Sequence, residues 1–319
     1  MEAENVHKFL FDGLPVCGAI VRLTESWRET LKRRGVATFA RPVRALMGEM
    51  TAAGVLMHSS IKFDGALILQ VHGDGPVKLA VAEIQQNLNF RAMAKVVGAV
   101  GDTARLQDLV NVQGLGRCVI TLDPKKRPPG TEPYQGVVPL YGDQREPLSV
   151  LSEVIEHYML QSEQLDTRLM LAANDDVAAG LLLQRMPLSG AGNLGNSEDE
   201  AQIGRNEDFN RIALLAATLT REELLSLDNG TLLRRLFWEE SLRRFRPLTS
   251  RFNCSCARER VGNMLVGLGR VEMESILSER NLVEVGCDFC GQLYHFDAVD
   301  VGAMFTPKLD QPPPSQVMH

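Results

Sequence analysis

The first half of the chain alternates between short apolar runs and longer stretches whose apolar residues recur every three to four positions. Residues 16–23 form an apolar run rich in Val and Ile, polar only near Arg22, which predicts a strand. Residues 41–57 and 148–164 carry their apolar side chains at helical spacing, which predicts two packed helices. Alternation of this kind is typical of an α+β domain.

Two further pairs of β-rich runs are each joined by a loop of turn residues. Residues 66–72 and 77–83 flank Gly73-Asp-Gly-Pro76, in which glycine permits a positive φ and proline fixes φ for a reversing loop. Residues 118–123 and 134–140 flank a Pro-rich loop. Each pair is predicted to form a β-hairpin.

The composition changes sharply after Pro187. Residues 189–208 contain four Gly, three Asn and five acidic residues but almost no apolar ones, which is typical of a flexible linker. Residues 210–246 return to an amphipathic helical pattern, in which Thr220 and Glu223 form a predicted capping box. The chain ends in a tail with three consecutive prolines, which predicts disorder.

Charge and hydropathy exclude several classes of protein. The chain has 34 Lys and Arg against 40 Asp and Glu, a net charge of −6, which argues against a protein that mainly wraps nucleic acid. No apolar run approaches the ~18 residues needed to cross a bilayer, so no membrane partner is expected. The N-terminus begins acidic and lacks the basic and apolar regions of a secretory signal. We therefore expect a cytoplasmic protein.

Four of the six cysteines occur as two close pairs in the last third of the chain. Cys254 and Cys256 are separated by one serine, and Cys287 and Cys290 follow after a further 30 residues. Thiolates are preferred zinc ligands, and two pairs can complete a tetrahedron around one ion while the intervening chain folds around it. The spacing predicts one zinc ion held by these four residues.

The predicted fold class is therefore α+β, with a helical linker region and a small C-terminal four-cysteine zinc domain. The predicted regions are a core domain over residues 1–188, a flexible and then amphipathic helical linker over 189–250, a zinc domain over 251–305, and a disordered tail over 306–319.

The cysteine pattern by itself leaves the role of the zinc open. A structural ribbon would stabilise a unit whose own core is too small. A redox role is favoured by eight Arg against three Glu between Leu232 and Arg260, since guanidinium groups stabilise thiolates. The same arginines also fit a solvated helix face, or a ribbon that serves as an interaction module for nucleic acid or protein. A thioredoxin-like enzyme does not fit, because extended chain rather than a helix is predicted after Cys290.

The remaining reactive side chains receive no catalytic role. Cys17 and Cys118 lie in apolar strand-like runs, where a thiol behaves as a small hydrophobic group. His295 is a rival metal ligand near the second pair, although four cysteines already fill a tetrahedron. Because the six His are scattered along the chain, we assign no catalytic residue and do not expect an enzyme.

These motifs together resemble the bacterial 33 kDa chaperonin family of redox-regulated heat-shock chaperones. The resemblance rests first on the spacing of the four cysteines, with Phe289, Tyr294 and Phe296 around the last pair. It extends over nearly the whole chain through Lys62-Phe-Asp-Gly65, Gly73-Asp-Gly-Pro76, Gly114-Leu-Gly116, Gln161-Ser-Glu-Gln-Leu165 and Ala179-Gly-Leu-Leu-Leu-Gln184.

The resemblance implies an ATP-independent holdase that protects unfolding or oxidatively damaged client proteins. It implies a reduced, inactive form in which the four cysteines hold zinc. In the oxidised form it implies disulfides Cys254–Cys256 and Cys287–Cys290, release of zinc, unfolding of the linker and an active homodimer. If the segment 210–246 undocks, we expect an apolar patch made of Ile212, Leu214, Leu215, Leu219, Leu224, Leu225 and Phe237.

Overall fold

The computed structural model describes residues 4–35, 38–127, 130–186 and 203–306. Contacts divide the chain into two compact units, Met1–Asn253 and Cys254–His319. The predicted flexible linker up to residue 202 and the predicted tail beyond residue 306 lie outside the described residues. The division into core domain, linker, zinc domain and tail stays a prediction.

The strands of the larger unit include the predicted hairpins and several strands that the sequence pattern did not indicate. In chain order they are β1 (Asn5–Phe11), β2 (Val16–Leu23), β3 (Gly65–His72), β4 (Val77–Ile84), β5 (Phe90–Val96), β6 (Arg117–Pro124), β7 (Tyr134–Pro139), β8 (Thr167–Ala173), β9 (Ala178–Arg185), β10 (Leu242–Arg244) and β11 (Leu248–Thr249). The predicted strand at 16–23 is confirmed as β2. Both predicted hairpins are confirmed as antiparallel pairs, β3 with β4 and β6 with β7.

The helices of the larger unit include the two that the sequence pattern predicted over 41–57 and 148–164. In chain order the helices are α1 (Glu25–Arg34), α2 (Arg41–Ser60), α3 (Leu106–Val110), α4 (Leu151–Glu163), α5 (Glu207–Ala216), α6 (Arg221–Ser226) and α7 (Asn229–Leu236). The helix predicted over 148–164 is confirmed as α4, but it begins three residues later. The reason is that the Glu153 carboxylate accepts hydrogen bonds from the backbone N–H groups of Ser149 and Val150, which places the cap there.

The strands form two antiparallel sheets. The first sheet has the order β10-β1-β2-β9-β8, and β11 also pairs with β1. The second sheet has the order β5-β4-β3-β6-β7. Helices and antiparallel strands in one unit confirm the predicted α+β class.

Helix α2 packs against both sheets and forms the centre of the main core. Its residues from Val43 to Ser59 are nearly all buried. Gly48 lies against Ala173 of the first sheet, and Gly54 lies against Ile84 of the second. A side chain at either glycine would collide with the neighbouring strand, so these helix glycines are explained by close approach of the sheets.

The outer face of the first sheet is covered by α5, α6 and α7. Val16 and Ile20 of β2 belong to this second core together with Ile212, Leu224 and Leu232 of the three helices. The sheet is therefore buried on both faces, since Val21 and Leu23 of β2 point into the core around α2. The docking expected for the amphipathic segment 210–246 is observed.

The helical pattern expected to continue to residue 246 is wrong at its end. Helix α7 ends at Leu236, and Leu242–Arg244 forms β10, paired with β1. The backbone of an edge strand needs hydrogen-bond partners, and pairing with β1 outweighs the weak local helical preference of this short segment. The capping box predicted at Thr220 is confirmed at the start of α6.

The smaller unit consists of short elements around a small core. They are α8 (Arg258–Leu268), α9 (Arg270–Arg280), β12 (Val283–Gly286), β13 (Leu293–Phe296) and α10 (Ala298–Met304), with β12 and β13 paired antiparallel. Its buried hydrophobic residues are Leu265, Met273, Val283, Phe296 and Val301. Across the described part of both units, no helix is long and apolar enough to cross a membrane.

Candidate metal centre

The four cysteines of the two predicted pairs meet at one point of the smaller unit. Their Sγ atoms all lie within 4.8 Å of one another. Cys254 Sγ lies 3.6 Å from Cys287 Sγ, and Cys256 Sγ lies 3.4 Å from Cys290 Sγ. The fold thus brings together two pairs that are 30 residues apart in the chain.

The second pair is positioned by the turn between β12 and β13. The backbone N–H of Cys287 donates to the carbonyl of Gln292 at 2.9 Å, and the N–H of Gly291 donates to the carbonyl of Cys287 at 2.8 Å. Gly291 has φ of +71°, a conformation that other residues rarely adopt. This tight turn directs the Cys287 and Cys290 side chains toward the first pair.

The arrangement fits a tetrahedral metal ion with four sulfur ligands. A metal–sulfur distance of ~2.3 Å places the sulfurs of a regular tetrahedron ~3.8 Å apart. The shortest separations here are 3.4 and 3.6 Å, and none exceeds 4.8 Å. Four soft donors exclude Mg²⁺ and Ca²⁺ as preferred ions. The four cysteines are therefore placed so that they could hold a metal ion, and the fold brings together the two pairs that the sequence singled out.

The thiol of Cys256 differs electrostatically from its neighbours. Its burial alone would raise its pKa, but a hydrogen bond from Tyr294 Oη at 3.2 Å and contacts with the other thiols lower that pKa to about 7. Burial raises the pKa of Cys254 and of Cys290. The hydrogen bond to Cys256, followed by burial, raises the pKa of Tyr294 to about 12, so this hydroxyl keeps its proton and remains a donor.

Two arginines of the predicted basic cluster lie in the smaller unit and make specific contacts. The Arg258 guanidinium stacks 4.3 Å from the centre of the Phe296 ring and donates to the His295 carbonyl and the Asp300 carboxylate. Arg260 donates to Ser255 Oγ at 2.9 Å, between the first two cysteines. Arg258 thereby connects β13 to α10 close to the site.

Other arginines of the same cluster belong to the larger unit. Arg235 forms an ion pair with Glu223, and Arg243 pairs with Asp12. Six of the eight arginines between Leu232 and Arg260 therefore belong to the larger unit, and two belong to the smaller one.

The remaining sequence candidates stay outside the cluster of sulfurs. His295 Nδ1 lies 3.4 Å from a Glu284 carboxylate oxygen across the β12–β13 pair, and the ring is not among the grouped ligand atoms of the described residues. Cys118 is fully buried in β6, and burial raises its pKa to about 12. Cys17 in β2 is half-buried, and burial raises its pKa as well. Neither thiol is poised to react.

Comparison with known proteins gives consistent results. A sequence model of the family described as "Hsp33 protein" matches residues 4–297. A protein named 33 kDa chaperonin from Chromobacterium violaceum is 43% identical over 302 residues, covering 95% of this chain and 94% of that protein. A protein of the same name from Methylobacillus flagellatus is 40% identical, covering 97% of both.

A solved structure shows the same fold. The crystal structure of the 33 kDa chaperonin, a heat shock protein 33 homolog, from Thermotoga maritima superposes with a TM-score of 0.73. The match covers 94% of this chain and 97% of that one at 19% identity. At this identity the likeness concerns the fold alone.

Proposed function

This chain belongs to the Hsp33 protein family, and we propose that it is a redox-regulated holdase that keeps unfolding proteins from aggregating without ATP. Its kinship with proteins named 33 kDa chaperonin makes it a chaperone. The proposal is that the reduced protein is inactive, that oxidation activates it, and that it acts in the cytoplasm and is not an enzyme. The proposed redox regulation is supported by the four cysteine sulfurs, which all lie within 4.8 Å of one another.

The proposed metal is zinc, held by Cys254, Cys256, Cys287 and Cys290 in the reduced protein. The all-sulfur donor set and the sulfur separations support zinc. The size of the smaller unit supports a folding role for the ion, because five buried hydrophobic residues are a small core for about 50 residues. Zinc binding of this kind contributes about 10–16 kcal/mol in small peptides at pH 7.

Oxidation is proposed to join Cys254 with Cys256 and Cys287 with Cys290. In each pair a thiolate sulfur attacks an oxygen of a peroxide, the O–O bond breaks and hydroxide leaves, which gives a sulfenic acid. With hypochlorous acid the sulfur attacks chlorine and expels hydroxide, and water then replaces chloride to give the same sulfenic acid. The neighbouring thiol then condenses with it, so that a disulfide forms and water leaves. Two disulfides leave no thiolate to hold zinc, and the smaller unit is expected to unfold.

The client-binding surface is proposed to be the interface between the first sheet and helices α5 to α7. The support is its composition, since the outer sheet face and the three helices bury an extensive apolar surface against each other. Helices of six to ten residues are marginal without tertiary packing, so these three helices depend on their contact with the sheet. Release would expose apolar surface to unfolding or oxidatively damaged clients, with a homodimer as the active form.

The deciding experiment follows zinc, thiols and chaperone activity in one titration. Reduced protein is treated with hypochlorite, and zinc content, free thiols, disulfide connectivity and the aggregation of an unfolded client are measured at each dose. We expect zinc to leave, two disulfides to form within the close pairs, and aggregation to be suppressed. If the protein keeps its zinc, or gains no chaperone activity as zinc leaves, the proposal is wrong. The four cysteines would then belong to a structural zinc ribbon in an interaction module.

A further inference from the structure

A cavity of about 390 Å³ lies in the larger unit, beneath the C-terminal half of α4. Its walls come from the end of α2, from β3, β6 and β7, and from α4. Buried side chains of Met57, Leu67, Ile120 and Met159 make most of its lining apolar. Its volume lies within the range of small-molecule sites and equals that of about a dozen waters, which fits a ligand of roughly a dozen non-hydrogen atoms.

Three oxygen atoms form a polar cluster at this cavity. Tyr158 Oη donates to Glu163 Oε1 at 2.5 Å, and Tyr134 Oη donates to the same oxygen at 3.0 Å. The two hydroxyl oxygens lie 3.4 Å apart. All three residues line the cavity, and the cluster is built from residues on β7 and α4.

The direction of these hydrogen bonds decides what the cluster can bind. Each tyrosine has a single hydroxyl proton, and its partners within the cluster are Glu163 Oε1 and the neighbouring hydroxyl, so both protons are used inside the cluster. The lone pairs of the two hydroxyl oxygens and the second carboxylate oxygen therefore remain as acceptors. Among the described ion pairs, none places a Lys or Arg on Glu163, so its negative charge is available to a ligand.

We propose that this cavity binds a small primary amine with an apolar, aromatic body. An ammonium group carries three donors and no acceptor, which matches a cluster that presents only acceptors around a carboxylate. The body would fill the cavity, where two methionine side chains make favourable contacts with an aromatic ring. An anionic molecule of the same shape would place its negative charge against the Glu163 carboxylate.

The experiment uses the reduced, full-length protein with tryptamine as the probe and indole-3-propionate as an anionic probe with the same ring. Protein labelled at methionine methyl groups reports on the site through the signals of Met57 and Met159, each assigned by a Met→Leu substitution. We expect a saturable shift of both signals with tryptamine and none with indole-3-propionate. Binding should also raise Tm, and the increase should grow with the logarithm of tryptamine concentration above its Kd.

Substitutions test separately the contact of the ammonium group with Glu163 and the filling of the cavity by the aromatic ring. Glu163→Gln should weaken tryptamine binding about tenfold, or ~1.4 kcal/mol, whereas the exposed loop variant Glu132→Gln should leave it unchanged. Ile61→Trp, at an exposed lining position, should block the cavity and abolish the shift. The proposal is overturned if Met57 and Met159 do not respond to tryptamine in the folded wild type. Equal binding of the two probes would overturn it as well.

Discussion

The hydroxyl of Tyr294 donates a hydrogen bond of 3.2 Å to Cys256 Sγ, from a strand that begins three residues after the last metal-site cysteine. It is a specific donor to one of the four clustered sulfurs. Donors of this kind orient a metal ligand and reduce the charge concentrated on its sulfur. The contact therefore belongs to the metal site, although Tyr294 supplies no ligand atom.

Removal of this donor should weaken metal binding. Substitutions of residues that hydrogen-bond to metal ligands typically lower metal affinity 10- to 100-fold, so we expect Tyr294→Phe to bind zinc about tenfold more weakly. Competition with a chromophoric chelator measures this affinity. Tyr141→Phe, in the larger unit, is the matched control. Unchanged zinc affinity in Tyr294→Phe would show that the hydrogen bond does not act on the site.

Loss of a single cysteine should raise chaperone activity under reducing conditions. Cys254→Ser and Cys287→Ser each remove one thiolate, so the smaller unit loses part of the ~10–16 kcal/mol that zinc contributes to its folding. We expect partial activity without oxidant in an aggregation assay, together with lower zinc content. Amide hydrogen exchange should show lost protection in α8, α9 and α10 while α2 stays protected.

The two cysteines of the larger unit provide the controls for that experiment. Cys17→Ser and Cys118→Ser should remain inactive when reduced and should keep activation by oxidant, because neither residue belongs to the sulfur cluster. If the two metal-site variants lose zinc and yet stay as inactive as the wild type, the smaller unit does not restrain the client-binding surface.

Phe237 connects the helical layer to the first sheet and provides a test that does not involve the metal. Its ring packs edge-on to Phe11 at 5.0 Å between centroids and lies 6.3 Å from Phe9. Phe237→Ala should cost about 3–5 kcal/mol and loosen α5 to α7, since the lost contacts lie at the end of that layer. We expect stronger binding of an apolar dye and measurable holdase activity in the reduced, zinc-loaded protein.

The adjacent tryptophan is a natural control for this substitution. Trp238 is 75% exposed, so Trp238→Ala removes a large aromatic side chain without opening the core. It should change neither dye binding nor activity. Equal effects of the two substitutions would argue against the proposed client-binding surface. A Phe237→Ala protein that shows no holdase activity, although the amide hydrogens of α5 to α7 exchange rapidly, would argue against it as well.

Cys118 should make the stability of the larger unit depend on pH in the alkaline range. Burial raises the pKa of this thiol from its usual value of 9.0 to about 12. The unfolded chain then loses its thiol proton at lower pH than the folded one. The stabilisation is complete below pH 9 and is lost as pH rises toward 12, at ~1.4 kcal/mol per pH unit.

Urea unfolding at several pH values measures this slope. Fluorescence of the buried Trp27 in a Trp238→Phe background reports on the larger unit alone. Between pH 9 and 11, Cys118→Ala should reduce the slope by the contribution of one thiol. Val138→Ala, in the position that pairs with Cys118 across β6 and β7, should lower stability without changing the slope. Parallel slopes in wild type and Cys118→Ala would contradict the assigned pKa.

Many helices and turns of this protein could be predicted from the sequence because they depend on interactions between residues close together in the chain. A reversing loop of Gly and Pro between β-rich runs requires no distant partner, and both predicted hairpins are present. The helix around Met50 and the capping box at Thr220 likewise depend on residues within one or two turns. The close spacing within each cysteine pair was a local signal too, whereas the meeting of the two pairs depends on the fold of the chain between them.

Tertiary structure decided the features that depend on which surfaces are buried together. The contact of Tyr294 with Cys256 joins residues 38 apart, and the short strand at Leu242–Arg244 forms only because β1 offers unpaired backbone groups. The fold also decided which arginines of the basic stretch share a unit with the cysteines, because the boundary between the two units falls at Asn253. The periodic pattern of a helix or strand predicts which of its faces is buried. The surface that packs against this face depends on the free energy of the whole packed core.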